Sequence, residues 1–156
     1  MKYLVVISLL FVSCGVFQPK KFNNLSLQEK LVTIERDSIL FSNIVNNYKG
    51  KNTIIQLYAS YCPFSQTSFK EVRQLQQSNS EINFVFLSVD HSYHDWKRGL
   101  ESLEVKGEHF YIPKKGKGEL GKFLKLKTIP RFLLIDKQGN IKVYKTAKVV
   151  EVGKKI

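Results

Sequence analysis

The sequence of 156 residues predicts one α/β domain in which a central mixed β-sheet is flanked by helices. Residues 53–58 (TIIQLY) form a short, β-branched and apolar run, which is typical of a buried strand. Pro63 follows closely, and the apolar residues beyond it recur at helical spacing, at Phe69, Val72 and Leu75. A second apolar run at 82–89 completes a strand–helix–strand unit, whose length implies a right-handed crossover and parallel strands.

The composition is that of a folded protein rather than a disordered one. Hydrophobic residues make up 43% of the chain and aromatic residues 12%, which is enough apolar surface for a single core. The formal net charge at pH 7 is +12, so the protein is strongly basic. The sequence contains no glycine-rich phosphate loop and no motif that resembles a peroxidatic cysteine site.

The first residues have the features of an export signal. Lys2 is followed by the almost unbroken apolar run 4–12, which is too short for a transmembrane helix, since such a helix needs about 20 residues. Small residues then surround Cys14, as in bacterial lipoprotein signals that are cleaved before a lipidated cysteine, although Phe11 stands where leucine is usual. The alternatives are an ordinary secretory signal and an N-terminal anchor.

These features predict a division of the chain into a signal, a tether and a domain. Residues 1–14 form the lipoprotein-type signal, 15–30 the polar tether and 31–156 the folded domain. The predicted location is the bacterial cell envelope, with the protein held by its lipid at a membrane and facing the periplasm, or secreted into the periplasm. Nucleic acid is not expected as a partner of an exported protein that lacks an aromatic-interleaved binding motif.

The two cysteines of the sequence have different predicted fates. If Cys14 is acylated, Cys62 is the one remaining thiol and an intramolecular disulfide is impossible. The alternative is a Cys14–Cys62 bridge, which would tie the leader to the junction between the central strand and its helix.

The remaining elements follow from shorter patterns. Strand-like runs at 31–34 and 38–40 surround a turn, and a helical apolar stripe then includes Phe41, Ile44, Val45 and Tyr48. We expect Ser42 to cap that helix and Gly50 to end it.

Helices are predicted around Trp96 and over 119–126. A strand begins after Pro130, and a turn at 136–140 connects it to a last strand at 141–144. Too few residues remain for a long final helix, so that element is short or missing.

Residues 58–65 (YASYCPFS) resemble the W-A-S-W-C-x-x-C segment of the TlpA/ResA-like thioredoxin-fold thiol–disulfide oxidoreductases, which are tethered to membranes. Tyrosine replaces both tryptophans, and Ser65 replaces the second cysteine. Asp90 and Trp96 match acidic and aromatic positions of the family, and 129–136 (IPRFLLID) matches its proline-led strand. The resemblance covers roughly 31–144.

The resemblance implies a thioredoxin-like fold with an N-terminal strand or hairpin extension, and a site made of particular residues. It implies that the Ile129–Pro130 peptide bond is cis and faces the reactive cysteine. The implied catalytic residues are Cys62, Ser65 and Pro130, and the implied substrate contacts are Tyr61, Pro63, Phe64 and Ile129. No cofactor is implied.

Cys62 is the strongest catalytic candidate because it lies where the central strand gives way to a helix. The unpaired N–H groups and the positive end of a helix stabilise a thiolate relative to a thiol. Pro63 suits the first helical turn, where its missing N–H needs no partner. A buried inert thiol is the alternative, and the polar neighbours Ser65 and Gln66 argue against it.

Ser65 changes the predicted mechanism, since a serine can donate a hydrogen bond to the Cys62 thiolate but cannot resolve a mixed disulfide. Gln56 likewise occupies the position of the buried carboxylate of dithiol thioredoxins and cannot shuttle protons. Two hypotheses follow. The protein is a single-cysteine oxidoreductase that acts on protein thiols or disulfides, or with an external small thiol, or it is a redox-inactive binding module.

Two further groups of residues have open interpretations. His91, His94 and His109 either join Cys62 at a metal or are solvated loop histidines, and their separate positions favour solvated loops, so no metal is predicted. Basic residues crowd one short segment as Lys114, Lys115, Lys117, Lys122, Lys125, Lys127 and Arg131. They attract anionic lipid or acidic partners, or they are a plain solvated surface.

Overall fold

The computed structural model describes residues 18–156, and Cys14 and the predicted signal lie outside the described residues. A seven-stranded mixed sheet is formed by β1 (Lys30–Val32), β2 (Ser38–Leu40), β3 (Thr53–Tyr58), β4 (Asn83–Ser88), β5 (Glu108–Tyr111), β6 (Arg131–Ile135) and β7 (Ile141–Thr146). The helices are α1 (Asn24–Leu27), α2 (Phe41–Asn47), α3 (Pro63–Ser78), α4 (Tyr93–Leu100), α5 (Glu119–Phe123) and α6 (Val149–Gly153), with a 3₁₀ turn at Pro113–Gly116. The strand order is β2-β1-β5-β4-β3-β6-β7.

The central strand β3 is buried along its whole length, as its apolar sequence predicts. It pairs in parallel with β4 and antiparallel with β6, so the predicted mixed sheet and parallel crossover are confirmed. Alternate side chains of β3 face opposite sides of the sheet, where Ile55 and Leu57 join one core cluster and Ile54 and Tyr58 the other. The first cluster packs under α2 and α5, and the second under α3, α4 and α6.

The fold class is confirmed, but several element ends differ from the prediction. Helix α2 begins at Phe41, its N-cap is Leu40, and no side chain caps it, so the prediction of Ser42 as the cap is wrong. Helix α5 ends at Phe123 rather than at 126, because the chain turns through a positive φ of 48° at Lys125. The C-terminal element is the short helix α6, which buries two valines.

Residues 18–30, which the sequence assigns to the tether, are already packed on the domain. The ring of Phe22 is buried against Phe41 at a centroid distance of 4.9 Å. The backbone carbonyl of Lys20 accepts a hydrogen bond of 2.8 Å from the N–H of Ile141. The folded part of the chain therefore begins before residue 31.

Candidate functional site

Cys62 lies at the N-cap of α3, four residues after β3 ends, and its side chain is partly exposed. Its N–H donates to the carbonyl of Ala59 at 3.1 Å, and its carbonyl accepts the first intrahelical bond from Gln66 at 3.0 Å. Pro63 is the first helical residue, as its sequence position predicts. The thiol therefore stands at the end of a sixteen-residue helix where N–H groups lack intrahelical partners.

The Ile129–Pro130 peptide bond is cis and lies directly beside Cys62. The pairing of Leu57 with Arg131 brings the start of β6 level with the end of β3, so that Pro130 reaches the cysteine. The distance from Cys62 Sγ to the carbonyl oxygen of Ile129 is 4.0 Å. The structure thus brings Cys62, Ile129 and Pro130 together, as the resemblance implies.

Two exposed aromatic side chains lie within two residues of Cys62 in the sequence. Phe64 is 77% exposed and Tyr61 is 53% exposed. The ring of Tyr61 stacks on His91 at a centroid distance of 4.6 Å. Tyr61 and His91 form one wall of an open cleft of about 510 Å³, which Arg98 also lines. Pro63 is exposed beside them.

The buried carboxylate of Asp90 holds the loop that leads to Cys62. It accepts hydrogen bonds from the N–H of Ser60 at 3.0 Å, from the hydroxyl of Ser60 at 2.8 Å and from the hydroxyl of Ser88 at 2.6 Å. Sequence reasoning found Asp90 through the resemblance but missed the two serines. Serines near the ends of neighbouring parallel strands are the signal that could have identified them.

Ser65 points into the protein and does not meet the thiol. Its side chain is fully buried and its hydroxyl has no hydrogen-bond partner among the described residues, so the hydrogen bond to Cys62 that serine permits is not formed. Gln56 is also buried, and its amide nitrogen donates to Ser68 Oγ at 2.9 Å while its carbonyl oxygen stays unpaired. Ser68 in turn donates to the backbone carbonyl of Ser65 at 2.6 Å.

The three histidines do not converge. The sequence suggested that His109 lies in a loop, and this prediction is wrong. His109 lies in β5, where its ring stacks on Phe86 at a centroid distance of 4.6 Å. Burial lowers the pKa of His109 to about 4. His94 lies on the surface and contacts Arg36 at 2.8 Å. Within residues 18–156, no three His, Cys, Asp or Glu side chains cluster as metal ligands would.

Arg131 does not belong to the exposed basic segment. Its side chain is 2% exposed, its guanidinium donates to the carbonyl of Leu124 at 3.3 Å, and burial lowers its pKa.

In the part of the chain that is described, no helix is both long and apolar enough to cross a membrane.

Cys62 lies at a strand-to-helix junction and faces a loop that contains a cis proline. This arrangement, in a sheet with this strand order, defines a thioredoxin-fold site. A protein-family model described as Thioredoxin-like matches residues 50–141, more than half of the sequence. The chain belongs to this thioredoxin-like family. No curated protein sequence matches it significantly.

Solved structures with the same fold include several oxidoreductases. The thioredoxin domain of a thiol-disulfide oxidoreductase from Bacteroides vulgatus is 16% identical, with a TM-score of 0.66 over 86% of this chain and 98% of that one. A thiol-disulfide oxidoreductase from Bacteroides fragilis is also 16% identical, with a TM-score of 0.66 over 80% and 92% of the two chains. A secreted disulfide oxidoreductase from Mycobacterium tuberculosis is 13% identical, with a TM-score of 0.63 over 85% and 97%.

Proposed function

We propose that this protein is an extracytoplasmic thiol–disulfide oxidoreductase in which Cys62 acts as a single nucleophile. The observation that carries the proposal is the partly exposed Cys62 thiol at the start of α3, 4.0 Å from the Ile129 carbonyl beside cis-Pro130. N–H groups at the start of α3 lack intrahelical partners beside this thiol, and the thiolate is the form that attacks disulfides. Likeness to oxidoreductases with the same fold supports this assignment.

The reaction is an exchange of sulfur partners. The Cys62 thiolate attacks one sulfur of a substrate disulfide, a new sulfur–sulfur bond forms, the old one breaks, and the other substrate sulfur leaves as a thiolate. Exposed Tyr61, Pro63 and Phe64, together with the Ile129 backbone, provide the surface on which the substrate chain rests.

Release of the substrate requires a second thiol, which residues 18–156 do not contain. Ser65 has no sulfur, and Gln56 cannot exchange a proton as a carboxylate does. An external thiol, from a small molecule or a partner protein, therefore attacks the mixed disulfide, frees the Cys62 thiolate and carries the substrate sulfur away as a new disulfide, while its own proton goes to solvent.

The second candidate is a redox-inactive binding module. The buried, unpaired hydroxyl of Ser65 and the amide of Gln56 favour it, because both occupy positions that dithiol members use for turnover. The exposed rings of Tyr61 and Phe64 would then serve binding alone.

The proposed location is the cell envelope, with a lipid on Cys14 holding the domain at a membrane. The short apolar run and the small residues around Cys14 support this part of the proposal. One protein with the same fold, from Mycobacterium tuberculosis, is described as secreted.

Mixed-disulfide formation tests the proposal. The full-length Cys14→Ala variant keeps Cys62 as its one thiol. Incubation with oxidised glutathione, acid quenching and mass spectrometry should show one glutathione adduct, which reduced glutathione removes. A Cys14→Ala/Cys62→Ser variant is the matched control and should stay unmodified. Because Cys62 is partly exposed in the folded protein, the adduct should form without urea. An adduct that forms only in urea would favour the binding module.

A further inference from the structure

Six exposed lysines of one segment form a feature that thiol exchange itself does not require. We call them the basic surface, and they are Lys114, Lys115, Lys117, Lys122, Lys125 and Lys127. The first three lie in and after the 3₁₀ turn that follows β5, and the others lie in α5 and in the loop that leads to Pro130.

The two halves of the basic surface are packed against each other. Gly116 lies so close to the second half that an added Cβ would come within 3.0 Å of Leu126 Cδ2 and 2.8 Å of Val89 Cγ1. The N–H of Leu126 donates to the carbonyl of Gly121 at 3.0 Å, which folds the second loop back onto α5. The two backbone segments that carry the lysines therefore adjoin on the same side of the domain.

This face borders Cys62. Lys127 is two residues from Ile129, so their Cα atoms are at most about 7.6 Å apart, and the Ile129 carbonyl is 4.0 Å from Cys62 Sγ. Val89, which packs on Gly116, donates its N–H to the carbonyl of Tyr58 at 2.8 Å, at the end of β3 that leads to the cysteine.

The positive charge of the basic surface is largely uncompensated. Glu119 pairs with Lys122 at 2.5 Å, and no other lysine of the surface lies within ion-pair distance of a carboxylate among residues 18–156. Glu29, whose carboxylate lies beside Gly118, accepts a hydrogen bond of 2.6 Å from the N–H of Leu120.

Three of these lysines stand where the backbone does not favour them. Lys114, Lys115 and Lys125 have φ values of 59°, 55° and 48°, a conformation that glycine and asparagine adopt more readily. The geometry of a turn does not explain lysine at these three positions, whereas a requirement for positive charge on this surface does.

We propose that the basic surface selects partner proteins whose reactive disulfide is flanked by acidic residues. This deepens the proposed function and rests on it, since it names the substrate class of the Cys62 site. Carboxylates on either side of the substrate sulfur are attracted along the Lys125–Lys127 loop, so the encounter with Cys62 is steered before exchange begins.

Symmetric peptide disulfides test the proposal, with the cysteine flanked by aspartates, by asparagines or by lysines. The full-length Cys14→Ala chain reacts with each at low and high salt, and quenched mass spectrometry gives the rate of mixed-disulfide formation. The quantity compared is the rate for the acidic peptide divided by the rate for the asparagine peptide. In Lys117→Glu/Lys127→Glu this ratio should fall about five- to tenfold at low salt, and less at high salt.

The matched control is Lys51→Glu/Lys137→Glu, which makes the same change in net charge. Both control lysines are exposed at the other end of β3 and β6, about 17 Å or more from the Cys62 end, so their charges act on the bound peptide more weakly than that of Lys127 and are screened at physiological salt. This variant should lower the ratio much less at low salt, and should keep the ratio of the parent chain at physiological salt. Equal losses in the two variants, or no loss in either, would overturn the proposal.

Three other results identify what failed. If the asparagine peptide reacts with Cys62 but all three peptides react alike, the proposed function holds and the acidic selection is wrong. If no peptide reacts with folded protein, the proposed function itself fails. Co-sedimentation with phosphatidylserine vesicles that is lost in Lys117→Glu/Lys127→Glu, without any change in the peptide ratio, would overturn the proposal and assign the surface to a membrane.

Discussion

Replacing His109 with phenylalanine should make the stability of the protein less sensitive to acid. His109 Nδ1 is buried without a hydrogen-bond partner, its ring stacks on Phe86, and burial lowers its pKa from 6.5 to about 4. The folded protein therefore keeps this imidazole neutral at a pH where the unfolded chain protonates it. Phenylalanine retains the ring on Phe86 but cannot titrate.

The sign and size of the effect follow from these two pKa values. Below pH 6.5 the unfolded state binds more protons than the folded state, so the contribution of neutral His109 to stability is lost as the pH falls toward 4. Between pH 8 and pH 5 the loss is about 2 kcal/mol, and its limit below pH 4 is about 3 kcal/mol.

Urea unfolding at pH 8 and pH 5, followed by the fluorescence of the buried Trp96, measures this loss. The free energy of unfolding should fall by about 2 kcal/mol more in wild type than in His109→Phe. His94→Gln, which removes an exposed histidine, controls for the loss of an imidazole as such. If wild type and His109→Phe lose the same free energy between the two pH values, the assignment of a buried neutral His109 is wrong.

Two further predictions concern the cysteines. Positions 62 and 65 lie three apart at the start of α3, where Cα atoms fall in the disulfide range of about 4.4–6.8 Å, so Ser65→Cys should close a disulfide with Cys62 and give modest reductase turnover. Counting free thiols in glutathione buffers checks it, and separate glutathionylation of both cysteines would contradict it. Cys14 should incorporate labelled fatty acid in the native host, and equal labelling of wild type and Cys14→Ala would exclude acylation.

The strand-to-helix junction was predictable because its signals are local. The six residues 53–58 are apolar and β-branched, and Pro63 then marks the helix start, so the N-cap position of Cys62 follows from neighbours in sequence. The cis bond before Pro130 depended on the resemblance alone, since proline at a strand start is compatible with either isomer.

What the sequence could not predict depends on contacts between distant residues. Strand β5 has four residues with polar Glu108 and His109 among them, and its pairing with β4 rather than its own pattern makes it a strand. The burial of Phe22 and of Ser65 likewise comes from elements packed over them. Ser42 is a good N-cap by residue type. The chain, however, passes directly from β2 into α2 at Phe41, so Ser42 lies inside the helix rather than at its N-cap.

The hydrogen bond between Lys20 and Ile141 determines at which end of the sheet the described part of the chain begins. Ile141 pairs with Ile135, at the opposite end of β6 from Pro130, and five strand residues separate the two ends by about 17 Å. A chain that leaves the domain at Lys20 toward a lipid on Cys14 therefore leaves from the pole remote from Cys62. The membrane would lie behind the domain, and the thiol would point outward, toward proteins that diffuse in the surrounding compartment rather than toward those embedded in the same bilayer.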